Sequence, residues 1–449
     1  MPVELGQGLF TDLYELTMAS SYHGHGLDSP ATFDLFVRRL PPERHFLLAC
    51  GLDQALTFLE RLRFDASALD HLASLGLFDH SFLDRLSELR FTGEVWAVPE
   101  GEAAFAGEPL LRVTAPLVEA QVVETALLNL VAHSTMVASK AARMALACGE
   151  HHFVDYSSRR DHGPDAALLG ARAAYVGGAA ATSLVLAGQA FGLPLSGTMA
   201  HSYVTRFASE HQAFVAFARS FPDGATLLID TYDTEQGART VVDVAGELAG
   251  EGVSIRAVRM DSGDLARMAH SVRAILDEGG LGDLRIVASG DLDEHAIVEL
   301  LAGGAPIDDF GVGTQLGTSA DAPWLGAVYK LVDDVDGPKA KRSAGKANLP
   351  GRKQVWRVCG GDGRYHHDVV ALAGEVLEEG QPVLEEVMAG GARSQPAPSM
   401  DELAERARAT LAALPEGLRR LDAGGDPYPV ATSPALAALA DQVSSGIDR

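Results

Sequence analysis

Residues 226–234 read TLLIDTYDT: a short apolar run, then Asp and Thr packed together just where a strand must hand over to a helix. The same grammar returns in VSIRAVRMDSGD (253–264), LRIVASGDLDE (284–294) and IDDFGVGTQLGTS (307–319). Short apolar runs bounded by turn residues read as buried strands. This gives strands over Thr226–Asp230, Val253–Arg259, Leu284–Ala288 and Ile307–Val312, with Ala327–Val332 as the last of the series. Helical text lies between most of them, and repeated strand–helix units imply parallel strands joined by right-handed crossovers. The polar residues gather at the strands' C-terminal ends, where α/β barrels and open parallel sheets hold their ligands. The fold class expected is α/β, an irregular parallel α/β barrel. It is preferred over a doubly wound sheet because no GxGxxG opens the first unit and the loops look like equal contributors around a ring.

Working outward, a chain of 449 residues suggests two or three domains. Lys plus Arg number 36 against 61 Asp plus Glu, a formal charge of −25 that argues against nucleic acid or an anionic membrane surface as partner. A polyphosphate ligand would therefore need local cations. Cys50, Cys148 and Cys359 are far apart and odd in number, which reads as free thiols in a reducing compartment. The first twenty residues lack a basic stretch followed by an apolar core, so no secretory signal is expected. Ala173–Ala200 carries no charge, but it is rich in Ala, Gly, Ser and Thr and broken by Gly177-Gly178, Gly192 and Pro194. It reads as buried helix and strand rather than a membrane span. The expected location is cytoplasmic.

Residues 1–120 read as an α+β domain. Thr11–Ser20 is a helix capped by Thr11 or Asp12 and carrying Tyr14; Ala31–Leu40 alternates as a half-buried strand; 51–89 is helical; and 91–116 holds short strands between Pro/Gly turns. Residues 121–335 form the expected barrel, entered through the Ala-rich helix that ends before Gly149, with a strand at Phe153–Tyr156 and Pro164 opening the next helix. Residues 336–449 read as a C-terminal region of strands then helices, including Asp401–Leu414, partly packed on the first domain.

Candidate site residues follow from the strand ends. Ser289-Gly290-Asp291, Gly311-Val312-Gly313-Thr314 and Ser262-Gly263-Asp264 offer backbone N–H groups beside helix starts, which suit phosphate, although the same residues cap ordinary helices. Arg159, Arg160 and Arg259 offer guanidinium forks for phosphate or carboxylate. Asp230, Asp261 and Asp291 suit sugar hydroxyls or a hydrated Mg²⁺ shared with substrate phosphates. His201, in LSGTMAHSY (195–203), sits among small residues that leave room for a ligand, though a lone His is more often structural.

These stretches, together with DYSSRRDHGPDAALLGARAAYVGG (155–178), KRSAGKANLPGRKQVWR (341–357), TDLYELTM (11–18) and PYPV (427–430), resemble nicotinate phosphoribosyltransferase across nearly the whole chain. The resemblance implies a type II phosphoribosyltransferase fold and a homodimer with sites at the subunit interface. The reaction it implies joins nicotinate and phosphoribosyl pyrophosphate, with ATP hydrolysis, into nicotinate mononucleotide and pyrophosphate, the entry to NAD salvage. His201 matches a transiently phosphorylated histidine. Tyr14, from the neighbouring subunit, and Tyr156 match aromatics that sandwich the pyridine; Arg259 matches the carboxylate contact. Arg159 matches a phosphate contact; Asp230, Asp261, Ser289, Gly290 and Asp291 fall in the phosphoribosyl region, and Gly313-Thr314 in the 5′-phosphate loop. Mg²⁺ is expected with the substrate phosphates and ATP as co-substrate, the metal's ligands being unassigned.

Ser183 stands where nicotinamide-using relatives carry Asp, so it favours a carboxylate ligand, unless it merely caps a helix. Asp161 follows the arginine pair where a neutral residue is expected; it either weakens phosphate attraction or pairs with Arg160. Rival readings are nicotinamide phosphoribosyltransferase, the decarboxylating quinolinate relative, a barrel aldolase or isomerase on sugar phosphates, and a non-catalytic barrel homologue.

Overall fold

The computed structural model describes residues 6–341 and 348–446, so part of the basic stretch 341–357 lies outside the described residues. The chain forms two compact units, one of residues 140–321 and one of residues 1–139 with 322–449.

The 140–321 unit is built on one six-stranded parallel sheet. Its order is Ala181–Thr182, His152–Asp155, Asp309–Val312, Arg285–Ser289, Ser254–Met260 and Asp223–Leu228. The ladders Val154↔Ala181, Phe310↔Phe153, Ala288↔Phe310, Ile286↔Val258 and Leu227↔Val258 set the register. This is the expected irregular barrel in the form of a curled half-barrel, with Ala181–Thr182 and Asp223–Leu228 as its two edges. Parallel strands need crossovers, and helices Pro164–Val176, Thr234–Glu247, Leu265–Glu278 and Glu294–Ala302 supply them. Each of the last three is capped by an aspartate four or five residues past the end of the preceding strand. Asp233 accepts from Gln236 N–H, Asp264 from Arg267 N–H and Asp293 from Ala296 N–H. Phe153, Val258, Ile286, Phe310, Val241, Val272 and Ile297 are fully buried between sheet and helices.

The other unit is an antiparallel assembly. Its seven-stranded sheet sets Pro30–Val37 between Ala327–Asp334 and Pro109–Pro116, and Glu94–Ala97 between Pro109–Pro116 and Glu385–Ala389. Ala327–Asp334 is therefore not the last parallel strand: it pairs antiparallel with Pro30–Val37, Leu35 facing Tyr329. The run from 322 to 335 belongs with this unit rather than with the barrel. An apolar run bounded by turns reports burial but not the direction of its partner. Pro30–Val37 is likewise not half-buried. Ala31 to Val37 are all buried, and Asp34 is kept inside by Lys353 Nζ at 2.8 Å. Helix Leu13–Gly24 carries Tyr14, 47 % exposed, beside Leu13, 52 % exposed.

Candidate active site

Seven side chains from four strand ends of the parallel sheet converge. Arg259 lies one residue before the end of Ser254–Met260, and Asp261 and Ser262 follow it; Ser289 closes Arg285–Ser289; Tyr156 follows His152–Asp155; Asp230 and Thr231 follow Asp223–Leu228. Parallel strands place their C-terminal ends at one edge of the sheet, so the convergence is a consequence of topology.

Arg259 is the hub. Its Nε donates to Ser289 Oγ at 2.8 Å and an Nη donates to Asp261 Oδ1 at 2.5 Å. Its guanidinium lies 5.6 Å from the centroid of the Tyr156 ring. The Ser289 hydroxyl is 2.6 Å from Asp261 Oδ1. Burial alone would raise the pKa of Asp261; the Ser289 hydroxyl, the Arg259 guanidinium and the His201 imidazole overcome that and hold it below the usual carboxylate range. The pair is fixed from behind, because the Asp261 N–H and the Ser262 hydroxyl both donate to Asp230 Oδ2, at 2.9 and 2.7 Å. Asp230 Oδ1 is buried with no hydrogen-bond partner.

His201 opens the short helix His201–Arg206. Its Nδ1 lies 3.1 Å from the Thr231 hydroxyl, and its Nε2 faces Asp261 Oδ2 at 4.0 Å. The imidazole is 45 % exposed, so one nitrogen is occupied while the other is open to a ligand. Thr231, which the sequence reading quoted but did not single out, is the group that orients it.

Tyr156 shows why the sheet carries glycine at 311. A Cβ there would stand 2.5 Å from Tyr156 Cε2 and 3.2 Å from Ser289 Cβ. The Cδ2–Cε2 edge of the ring therefore packs against bare backbone. Its hydroxyl is hydrogen-bonded to Ser196, and burial outweighs the nearby Arg259 to push its pKa up, so the phenol is neutral. On the neighbouring strand end, Ser183 N–H donates to the Asp155 carbonyl at 2.9 Å. Leu184, not Ser183, occupies the N-cap of helix Val185–Phe191, and no side chain caps that helix, which removes the capping explanation for this serine.

The glycine loops surround this centre. Gly290 has φ +99° and Asp291 φ +50°; a Cβ at 290 would collide with the Asp261 carbonyl, so the 261 and 290 loops touch backbone to backbone. Helix Glu294–Ala302 begins beyond this loop, whose residues 289–291 are thus not its cap. Asp264, by contrast, is an ordinary cap of Leu265–Glu278. Gly313 precedes the single turn Thr314–Gly317. Arg159 and Arg160 are exposed on the loop after His152–Asp155. Asp161 does not pair with Arg160: it accepts from the Ser157 hydroxyl at 3.1 Å, and burial together with Asp155 pushes its pKa up to about 6. Tyr14 belongs to the other unit, where its hydroxyl is hydrogen-bonded to Glu124.

Comparison with known proteins fits this geometry. Residues 9–132 match the family model described as the nicotinate phosphoribosyltransferase (NAPRTase) N-terminal domain. The chain is 47 % identical over 426 residues to a Mycobacterium tuberculosis nicotinate phosphoribosyltransferase, pncB2, covering 95 % of this chain and 91 % of that protein. It is 43 % identical over 380 residues to the Bacillus subtilis nicotinate phosphoribosyltransferase, covering 83 % of this chain and 77 % of that one. The crystal structure of human nicotinic acid phosphoribosyltransferase superposes with a TM-score of 0.87 at 32 % identity, covering 96 % of this chain and 99 % of that one. With a matching fold, near-complete coverage and Arg259 set beside Tyr156 at the strand ends, this chain belongs to the nicotinate phosphoribosyltransferase family.

Proposed function

We propose that the protein transfers the phosphoribosyl group of phosphoribosyl pyrophosphate to the ring nitrogen of nicotinate, releasing pyrophosphate, with ATP hydrolysis coupled to the cycle. The observation that carries this reading is the Arg259 guanidinium 5.6 Å from the Tyr156 ring. A flat ring can stack on Tyr156 while its carboxylate meets the cation. Ser183, a donor with no charge, favours nicotinate over nicotinamide; an Asp there would repel a carboxylate.

The pyridine nitrogen has a free lone pair, so no general base is required. The bond that breaks is C1–O to the pyrophosphate, through an oxocarbenium-like sugar, and the bond that forms joins C1 to the ring nitrogen. Catalysis on this reading rests on positioning and on neutralising the departing pyrophosphate. The Asp261 carboxylate, kept ionised by its partners, suits ribose hydroxyls and the positive charge that develops at C1. Loop amides at 290 and 313 and the exposed Arg159 suit the phosphates.

His201 is the phosphoryl acceptor from ATP in this reading. Thr231 at Nδ1 leaves Nε2 to attack the γ-phosphorus, breaking its bond to the bridging oxygen and releasing ADP, and hydrolysis of the N–P bond to inorganic phosphate returns the free side chain. Among the described residues no cluster of three or more His, Cys, Asp or Glu is arranged to hold a metal ion by itself. The unpartnered Oδ1 of Asp230 nevertheless fits a Mg²⁺ shared with substrate phosphates, whose charge it would help to neutralise. A homodimer is supported by the exposed Leu13 and Tyr14, which suit an aromatic donated in trans. No helix among the described residues is long and apolar enough to cross a membrane, and the three cysteines are free, which agrees with a cytoplasmic enzyme.

The test is an initial-rate assay with nicotinate, phosphoribosyl pyrophosphate and Mg²⁺, with and without ATP. Nicotinate mononucleotide formation stimulated by ATP is the expected result. Absence of product under both conditions overturns the proposal.

A further inference from the structure

Behind the strand ends lies a buried charge cluster that the reaction itself does not use. Lys140 and Arg143 sit one turn apart on helix Glu124–Cys148. Lys140 Nζ is 2.6 Å from Glu294 Oε2 and 2.9 Å from Asp321 Oδ1, while Arg143 Nε donates to Glu294 Oε1 at 2.7 Å. The side chains of Lys140 and Arg143 are 3 % exposed and that of Glu294 is 0 % exposed. Burial would raise the pKa of Glu294, but the two cations hold it low, so it stays ionised.

The two carboxylates are not placed at random along the chain. Glu294 is the first residue of its helix, three positions after Asp291, and so holds the far end of the 289–291 loop. Asp321 closes the segment that begins at Gly313 and passes through Ser319, which is fully buried at φ +47°. One ammonium group thus touches the end of both loops. We infer that Lys140 is a positioning residue that sets the spacing of the 290 and 313 loops, and hence the fit of the phosphoribosyl half of the substrate, without touching it. This rests on the reaction proposed above. The nicotinate contacts, Tyr156 and Arg259, are held by Gly311, Ser196, Asp261 and Ser289. Ser289 borders the 290 loop, but it is fixed in the strand ladder opposite Gly311, and the cluster's ion pairs involve none of these four residues. Buried ion pairs are poor sources of stability but good fixers of geometry, and a misplacement of about 1 Å in a binding group costs on the order of a hundredfold.

The test uses full-length protein carrying Lys140→Met, Lys140→Arg or Asp321→Asn. Lys140→Met should raise KM for phosphoribosyl pyrophosphate about tenfold while KM for nicotinate stays within about twofold, and Lys140→Arg should regain most of the loss. Asp321→Asn cuts only the second tie and should give the same split, which decides the matter if Lys140→Met does not fold. Calorimetric Kd for phosphoribosyl pyrophosphate alone is measured alongside. If the unsubstituted protein makes no product, the proposed reaction falls; if the Kd is the same with and without Lys140 or Asp321, or both KM values rise equally, the spacer role falls.

Discussion

Gly311 and the Tyr156 ring occupy adjoining space so closely that a methyl group at 311 would lie 2.5 Å from Tyr156 Cε2. Contacts that short do not occur between unstrained carbon atoms, so Gly311→Ala must push the ring off its place. The φ of residue 311 is not positive, so the backbone itself accepts alanine. We expect KM for nicotinate to rise about ten- to a hundredfold with the fold retained. Steady-state kinetics beside a circular-dichroism melt checks this; an unaltered KM would show that Tyr156 does not hold the ring.

His201→Asn removes the imidazole nucleophile but leaves a polar side chain beside Thr231. ATP hydrolysis and its stimulation of transfer should vanish, on the order of a hundredfold or more, while slow uncoupled transfer persists. The measurement is ADP release with and without nicotinate. Undiminished ATP stimulation in the variant removes the phosphohistidine role.

Ser183→Asp places a carboxylate next to the proposed nicotinate carboxylate, one strand end from Tyr156. The ratio of kcat/KM for nicotinate over nicotinamide should fall about tenfold or more. A ratio that stays put means Ser183 does not face the substrate's acid group.

Glu15 makes a prediction in the other unit. It is fully buried and accepts from the Thr11 and Thr125 hydroxyls, each at 2.5 Å. Burial, opposed by those hydrogen bonds and assisted by Glu124 and Asp12, raises its pKa from 4.5 to about 7. The folded state then binds more protons than the unfolded chain between these values, so this group's contribution to stability falls as pH rises through that window. Glu15→Gln, which cannot ionise, should lose less Tm between about pH 5 and pH 8 than the unsubstituted protein, by about 2 °C. Identical slopes in the two melts would remove Glu15 as the titrating group.

What was legible in the sequence was the alternation itself. Strand, polar cluster and capped helix are local signals, so the C-terminal ends of the strands at Leu228, Met260, Ser289 and Val312 are legible to within two residues, while the start at Asp223 lies three residues before the expected Thr226. Pro164 at the start of its helix and the Ser399–Glu402 capping box are equally local. The partner of a strand is not. Ala327–Asp334 carries the same apolar signature but pairs antiparallel in another sheet, a choice made by packing far along the chain.

At the site the same division holds. Charged and aromatic residues at strand ends were visible as chemistry, whereas their partners were not. Thr231 stood within a quoted motif with nothing to mark it, and the Lys140–Glu294–Asp321 cluster joins residues up to 181 positions apart. For Asp161 the sequence left two readings, weakened phosphate attraction or a pair with Arg160; the second fails because the Ser157 hydroxyl, four residues back, takes the carboxylate's hydrogen bond.

The claim on which the rest depends is that Tyr156 and Arg259 together receive an anionic pyridine. Its most direct test compares kcat/KM for nicotinate and nicotinamide in the unsubstituted protein and in Arg259→Gln, with phosphoribosyl pyrophosphate saturating. The account predicts a strong preference for nicotinate that collapses by about a hundredfold when the guanidinium is removed. Equal use of both bases, or a preference that survives the substitution, would contradict it.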